Sequence, residues 1–173
     1  MNSAMLSARS RQPGHDRTFC RSETSFIAAL RAILDPSEWK IKDHPGDLRH
    51  IIGGRFGIVP EASIEFLATG RRFFFEVKKQ GGGGNADERA CKHHTVQFYK
   101  EIEALFGYDY HPFATIMCES LATAERYTLK HPFYFEPGHY FCWVDYDLDS
   151  LADFVAHVAN NWLVGEAMPI GRR

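Results

Sequence analysis

Glu76 and Lys78 stand two residues apart in the stretch Arg72-Phe73-Phe74-Phe75-Glu76-Val77-Lys78. Side chains alternate between the faces of a strand, so in an extended chain both point the same way, roughly 7 Å apart. Glu61, Ser63 and Glu65 share a face of the preceding extended run in the same manner. If the two runs pair as a hairpin, Glu61, Glu76 and Lys78 gather on one surface, with Glu65 close by as an alternative ligand. Two carboxylates and the Val77 backbone carbonyl are hard oxygen donors suited to Mg²⁺. A cation held there polarises a phosphodiester and activates water, while an amine beside it orients that water and offsets charge on the phosphorane. Taken alone, the triplet is better explained as a solvated ion pair. With 22 acids and seven lysines in 173 residues, about one such pair arises by chance, and Glu38-Trp39-Lys40 is another.

The elements that must position these groups follow from periodicity. Ser22-Glu23-Thr24-Ser25 starts a helix whose Phe26, Ile27, Leu30, Ile33 and Leu34 recur at helical spacing until Asp35-Pro36 ends it. Asp47–Ile52 reads as a helical turn closed by Gly53-Gly54. The period then changes to two: Ala62–Phe66 and Arg72–Lys78 read as strands joined by a tight turn at Thr69-Gly70. Gly81–Gly84 cannot be regular structure. Asp87–Phe106 reads as one long helix with Val96, Tyr99, Ile102 and Phe106 on one face. Phe113–Cys118 has the continuous apolar run of a strand buried on both sides. Tyr140–Val144 is a further strand. A last helix over about Leu148–Leu163 carries Leu151, Phe154, Val155, Val158 and Trp162 as a stripe for the core or a dimer interface. The expected class is α/β, bordering on α+β, with a mixed central sheet flanked by helices.

Composition narrows the function classes. An apolar fraction of 45% and an aromatic fraction of 14% suffice for a buried core, and no apolar run reaches membrane-spanning length. Residues 1–21 have no apolar centre and are expected to form a mobile arm rather than a secretory signal, leaving 22–173 as a single domain. Cys20, Cys91, Cys118 and Cys142 form no CxxC pair, so they are expected to be reduced thiols in a cytoplasmic protein. A net charge of −2 argues against a protein that coats nucleic acid by charge alone. Between Arg71 and Lys92, however, six basic residues stand against three acidic ones, a local +3. The neighbouring histidines His93 and His94 point about 100° apart on a helix, so a solvated or phosphate-facing role is expected for them rather than a metal site. The aromatics Phe133, Tyr134, Phe135, Tyr140, Phe141 and Trp143 are read as core packing, with base stacking as the alternative.

Pro60-Glu61, Glu76-Val77-Lys78 and the string Gly84-Asn85-Ala86-Asp87-Glu88-Arg89-Ala90-Cys91-Lys92 together resemble the EcoRI/MunI group of type II restriction endonucleases. These belong to the PD-(D/E)xK nuclease superfamily. The resemblance spans about Phe56–Cys118, leans towards the MunI side, and is most specific at Gly-Asn-Ala-x-Glu-Arg. One position departs from the pattern: Glu61 stands where the group typically has Asp.

The resemblance implies Glu61, Glu76 and Lys78 as catalytic residues, with Mg²⁺ held by Glu61, Glu76 and the Val77 carbonyl. It implies base reading by Gly84, Asn85, Ala86, Glu88 and Arg89. Asn is the natural bidentate partner of adenine, and the small residues admit close approach to the bases. Arg89 reaches a purine edge with Glu88 holding its guanidinium. Lys79, Lys92 and Arg71 are the candidates for phosphate contacts. A homodimer cutting double-stranded DNA at a palindrome with an AATT core is implied, with 5′ overhangs, 5′-phosphate ends and a cognate methyltransferase in the host. Two rival readings are a sequence-specific DNA-binding module with a weakened active site, and a structure-specific repair nuclease on the same fold.

Overall fold

Phe73, Phe74 and Phe75 are consecutive and all fully buried, which requires a strand covered on both faces. They lie in β3 (Arg71–Gln80), the centre of a five-stranded sheet of order β1-β2-β3-β4-β5. The computed structural model describes residues 23–80, 83–143 and 148–163. Residues 1–21, expected to form an arm, lie outside these, as do Gly81, Gly82 and Val144 and the side chains of Phe154 and Trp162. On one side of β3, β2 (Ala62–Phe66) and β1 (Trp39–Asp43) continue the sheet antiparallel. On the other, β4 (Phe113–Glu119) and β5 (Tyr140–Trp143) run parallel to it.

The mixed sheet flanked by helices is the expected class. α1 (Glu23–Ile33) places Phe26 edge-on to Phe75 at 5.6 Å, and α3 (Val96–Phe106) places Phe106 5.8 Å from Phe74. Phe74 and Phe75 alternate on β3, so the two helices cover opposite faces. α7 (Leu148–Val158) packs beside α1 and runs into a π-helical turn, Ala159–Leu163. No helix among the described residues is long and apolar enough to cross a membrane.

Three expectations are corrected. Trp39–Asp43, where the sequence suggests only a chance Glu-x-Lys, is strand β1, anchored by buried Trp39 against Phe66 at 4.9 Å. The single helix over Asp87–Phe106 is instead α2 (Ala86–Ala90), a 3₁₀ turn (Cys91–His94) and α3. Thr95 is extended and caps α3 by accepting from the Phe98 N–H at 3.2 Å, which redirects the chain and leaves Val96 69% exposed, with Phe98 and Ile102 facing inward. Between β4 and β5, where the sequence marks only proline boundaries, the chain forms three one-turn helices: α4 (Ser120–Thr123), α5 (Glu125–Thr128) and α6 (His131–Tyr134). Of the aromatics there, Phe135 is core whereas Phe133 is 87% exposed.

Candidate active site

The loop between β2 and β3 decides which residues meet. Gly70 adopts a φ of 69°, and the Thr69 and Gly70 N–H groups both donate to the Phe66 carbonyl, at 3.2 and 2.8 Å. Phe66 therefore pairs with Arg71 and, four steps along, Ala62 pairs with Phe75. One step further the same register sets Glu61 opposite Glu76, with Lys78 next on that face. Glu61 and Glu76 are buried and the Lys78 ammonium bridges them, 3.4 Å from Glu61 Oε1 and in direct contact with Glu76. Glu61 Oε2 also accepts the Val77 N–H at 3.0 Å. The N–H and C=O of one strand residue face the same edge, so the Val77 carbonyl looks out beside Glu61, past the end of β2.

Two carboxylates share one lysine in this buried place. Burial, then the hydrogen bond and charge of Glu76, push the Glu61 carboxyl up to about 9, against the pull of Lys78. Burial acts to lower Lys78, but the two carboxylates outweigh it and hold the ammonium above its ordinary value. The site thus has one base for two carboxyl groups, and its donors are hard oxygens. That donor set fits Mg²⁺. Among the described residues no group of three or more His, Cys, Asp or Glu side chains could hold a metal, so the backbone carbonyl would have to complete this one.

Glu65 and Arg71 are not brought to this site. Glu65 opposes Arg72 four residues down the strand, where Arg72 Nε lies 3.2 Å from it and Arg72 also reaches Asp47 at 2.8 Å. Arg71, expected at a phosphate, pairs with Asp109 at 3.2 Å and lies over the Tyr110 ring. The local +3 therefore divides between the two ends of β3. Of His93 and His94, expected in solvent or facing phosphate, His93 is buried and His94 half-buried among aromatic side chains. His93 lies against Phe98 and Phe113, near enough to feel the charge of Glu76, yet burial drives it down to about 4. His94 bonds the Thr115 hydroxyl at 2.8 Å, and Thr115 is the β4 neighbour of Glu76.

Beyond Lys78 the strand leads to the Gly84–Arg89 segment. Gly84 has a φ of 131°, and a Cβ there would come within 2.6 Å of the Gln80 side chain. Asn85 and Arg89 are exposed, and the Asn85 side chain makes no capping bond to α2, so its amide is available to a partner. Lys79 and Lys92 are also exposed. Glu88 does not hold Arg89: it pairs with Lys130 at 2.9 Å, as does fully buried Asp87 at 2.9 Å. Lys130 lies in the stretch of three one-turn helices, too short for any of them to show a period, and only three-dimensional contact reveals it.

No protein-family model matches the chain, and no curated protein matches it. A solved structure of MunI restriction endonuclease in complex with cognate DNA superposes with a TM-score of 0.63. The match covers 82% of this chain and 95% of that one at 19% sequence identity. The chain therefore has the restriction-endonuclease fold, and at that identity the likeness is one of fold alone.

Proposed function

We propose that this chain is a Mg²⁺-dependent type II restriction endonuclease that cuts double-stranded DNA at a short palindrome with an AATT core. The observation that carries the reading is the cluster of buried Glu61 and Glu76 with Lys78, at the end of β3 that precedes the exposed Asn85 and Arg89. The fold shared with an endonuclease solved on its cognate DNA supports it. Glu61, Glu76 and the Val77 carbonyl would hold the cation, which when bound supplies positive charge to polarise the scissile phosphodiester. Lys78 orients the attacking water and stabilises charge building on the phosphoryl oxygens. The Val77 N–H fixes the Glu61 carboxylate, so the longer Glu at this position is held from the backbone rather than left to swing. Attack in line with the leaving 3′-oxygen leaves a 3′-hydroxyl and a 5′-phosphate.

Asn85 reads adenine and Arg89 a purine edge, while Gly84 and Ala86 let the backbone come close. Glu88 acts through Lys130, and Lys79 and Lys92 contact phosphates. A homodimer matches a palindromic site, each subunit cutting one strand ahead of AATT to leave 5′ overhangs. Working in the cytoplasm, such an enzyme requires a cognate methyltransferase to protect host DNA.

The test is plasmid DNA incubated with the protein in Mg²⁺ or in EDTA, followed by sequencing of fragment ends. Discrete fragments that begin 5′-AATT only in Mg²⁺ are expected. Cutting without sequence preference would favour a structure-specific repair nuclease. Intact DNA with protein bound at AATT sites would instead favour a binding module in which Glu61 marks a lost active site.

A further inference from the structure

The Gly84–Arg89 segment is not stabilised by its own helix, since α2 is a single turn of five residues. It is held from two sides instead. From β3, Gln80 Oε1 accepts the Ala86 N–H at 2.8 Å, and the Gln80 amide donates to the Tyr127 phenol oxygen. From α5, the Tyr127 hydroxyl donates to the Gly84 carbonyl at 3.4 Å, and Arg126 reaches the same carbonyl at 3.5 Å. A phenol gives one proton and accepts another, so the two bonds are mutually consistent. Tyr127 is fully buried, and its ring also lies 5.6 Å beneath the Lys130 ammonium that pairs Asp87 and Glu88. Gln80 is two residues past Lys78 and projects from the same face of β3.

We propose that Tyr127 is a positioning residue for sequence discrimination. Its hydroxyl locks Gln80 and the Gly84 carbonyl together, so that Asn85 and Arg89 are presented at a fixed offset from Lys78. A wrong base displaces the segment, and the displacement passes through Gln80 to the strand that carries the amine. The inference rests on Gly84–Arg89 being the base-reading element.

Tyr127→Phe removes the hydroxyl but keeps the buried ring and the face beneath Lys130. Amide exchange at Ala86 in the free protein should quicken about tenfold, with the β3 amides of Phe73–Val77 still protected and the melting temperature within a few degrees of wild type. The cleavage preference for AATT-cored duplexes over duplexes with one core base changed should fall about tenfold, with kcat at AATT changed less than about threefold. Gln80→Leu breaks the same lock from the other side and should give the same pattern, the double variant being no worse than either single. Unchanged exchange at Ala86, equal loss on right and wrong duplexes, or additive singles would overturn the proposal. If the wild-type chain fails to distinguish the duplexes, base reading by this segment falls, and the exchange at Ala86 alone decides whether Tyr127 positions it.

Discussion

The two ends of β3 both gather acids and bases and use them differently. At the start of the strand, Arg72 is shared by Asp47 and Glu65, and Arg71 pairs with Asp109. Lys40 and Lys42 add further positive charge to Glu65 and Asp47, so every acid there has a base. At the far end, Glu61 and Glu76 are buried with Lys78 alone between them. The first arrangement holds the sheet edge together. The second sets two carboxyl groups against one base, so that burial and Glu76 hold Glu61 protonated at neutral pH, and a cation bound there would take the proton's place. Charge balance, more than residue type, separates the two clusters.

The largest effect expected from breaking this contrast is on chemistry. Glu76→Gln or Lys78→Ala should lower Mg²⁺-dependent cutting by about 10²–10³-fold, measured as single-turnover rate on a duplex. Glu61→Gln should do the same, yet its melting temperature at neutral pH should be no lower than wild type, because burial and Glu76 already hold the Glu61 carboxyl protonated and the amide is neutral too. A marked loss of stability in Glu61→Gln would show that this end is structural after all.

Arg72→Met should do the reverse. It leaves Asp47 and Glu65 short of their partner and should lower unfolding free energy by about 1–3 kcal/mol, with the cutting rate per folded molecule preserved. If denaturant titration finds no such loss, the balanced end contributes nothing and the contrast fails.

A pH series sharpens the comparison further. Burial holds His94 near 2 and His111 near 3, below the ordinary value of 6.5, so the unfolded chain takes up protons that the folded chain refuses. Their contribution is present above 6.5 and is lost as the pH falls, by at most about 1.4 kcal/mol per pH unit for each histidine. Asp47 opposes its burial through Lys42 and Arg72 and ends below its ordinary 3.8, so its contribution is lost only below that value. His111→Phe should therefore lessen the slope of the stability profile between 6.5 and about 3, and Arg72→Met should raise the Asp47 carboxyl and move its share of the profile to higher pH. The smallest effect belongs to Asp109→Ala. Its carboxylate is 78% exposed, and the loss should stay within about 1 kcal/mol.

Much of the site is legible in the sequence. Alternation alone places Glu76 and Lys78 together, and Thr69-Gly70 marks the turn. Glu65 stands as an alternative ligand only while the register is open: once Phe66 pairs with Arg71, Glu65 must face Arg72 and Glu61 must face Glu76. Strand β1 is hard to read because Lys40, Lys42 and Asp43 are exposed at a sheet edge, leaving few apolar residues to set a period. The break at Thr95 is hidden because Ile102 and Phe106 fit a helical spacing whether or not the helix begins earlier. Tyr127 and Lys130 carry no local signal. Their roles arise from contact with residues some 40 positions earlier, which no window along the chain contains.

β3 joins its two neighbours over very different lengths of chain. It meets β2 across Leu67–Gly70, but it meets β4 only after residues 81–112 have been looped out. Closing the short loop costs little entropy and closing the long one costs more, so the hairpin has the advantage in assembly. By this argument Glu61, Glu76 and Lys78, the groups proposed to break a phosphodiester, are brought together in folding ahead of β4 and of the Tyr127 contacts to the proposed reading segment. The proposed fidelity would then be completed last, by the slower of the two strand pairings.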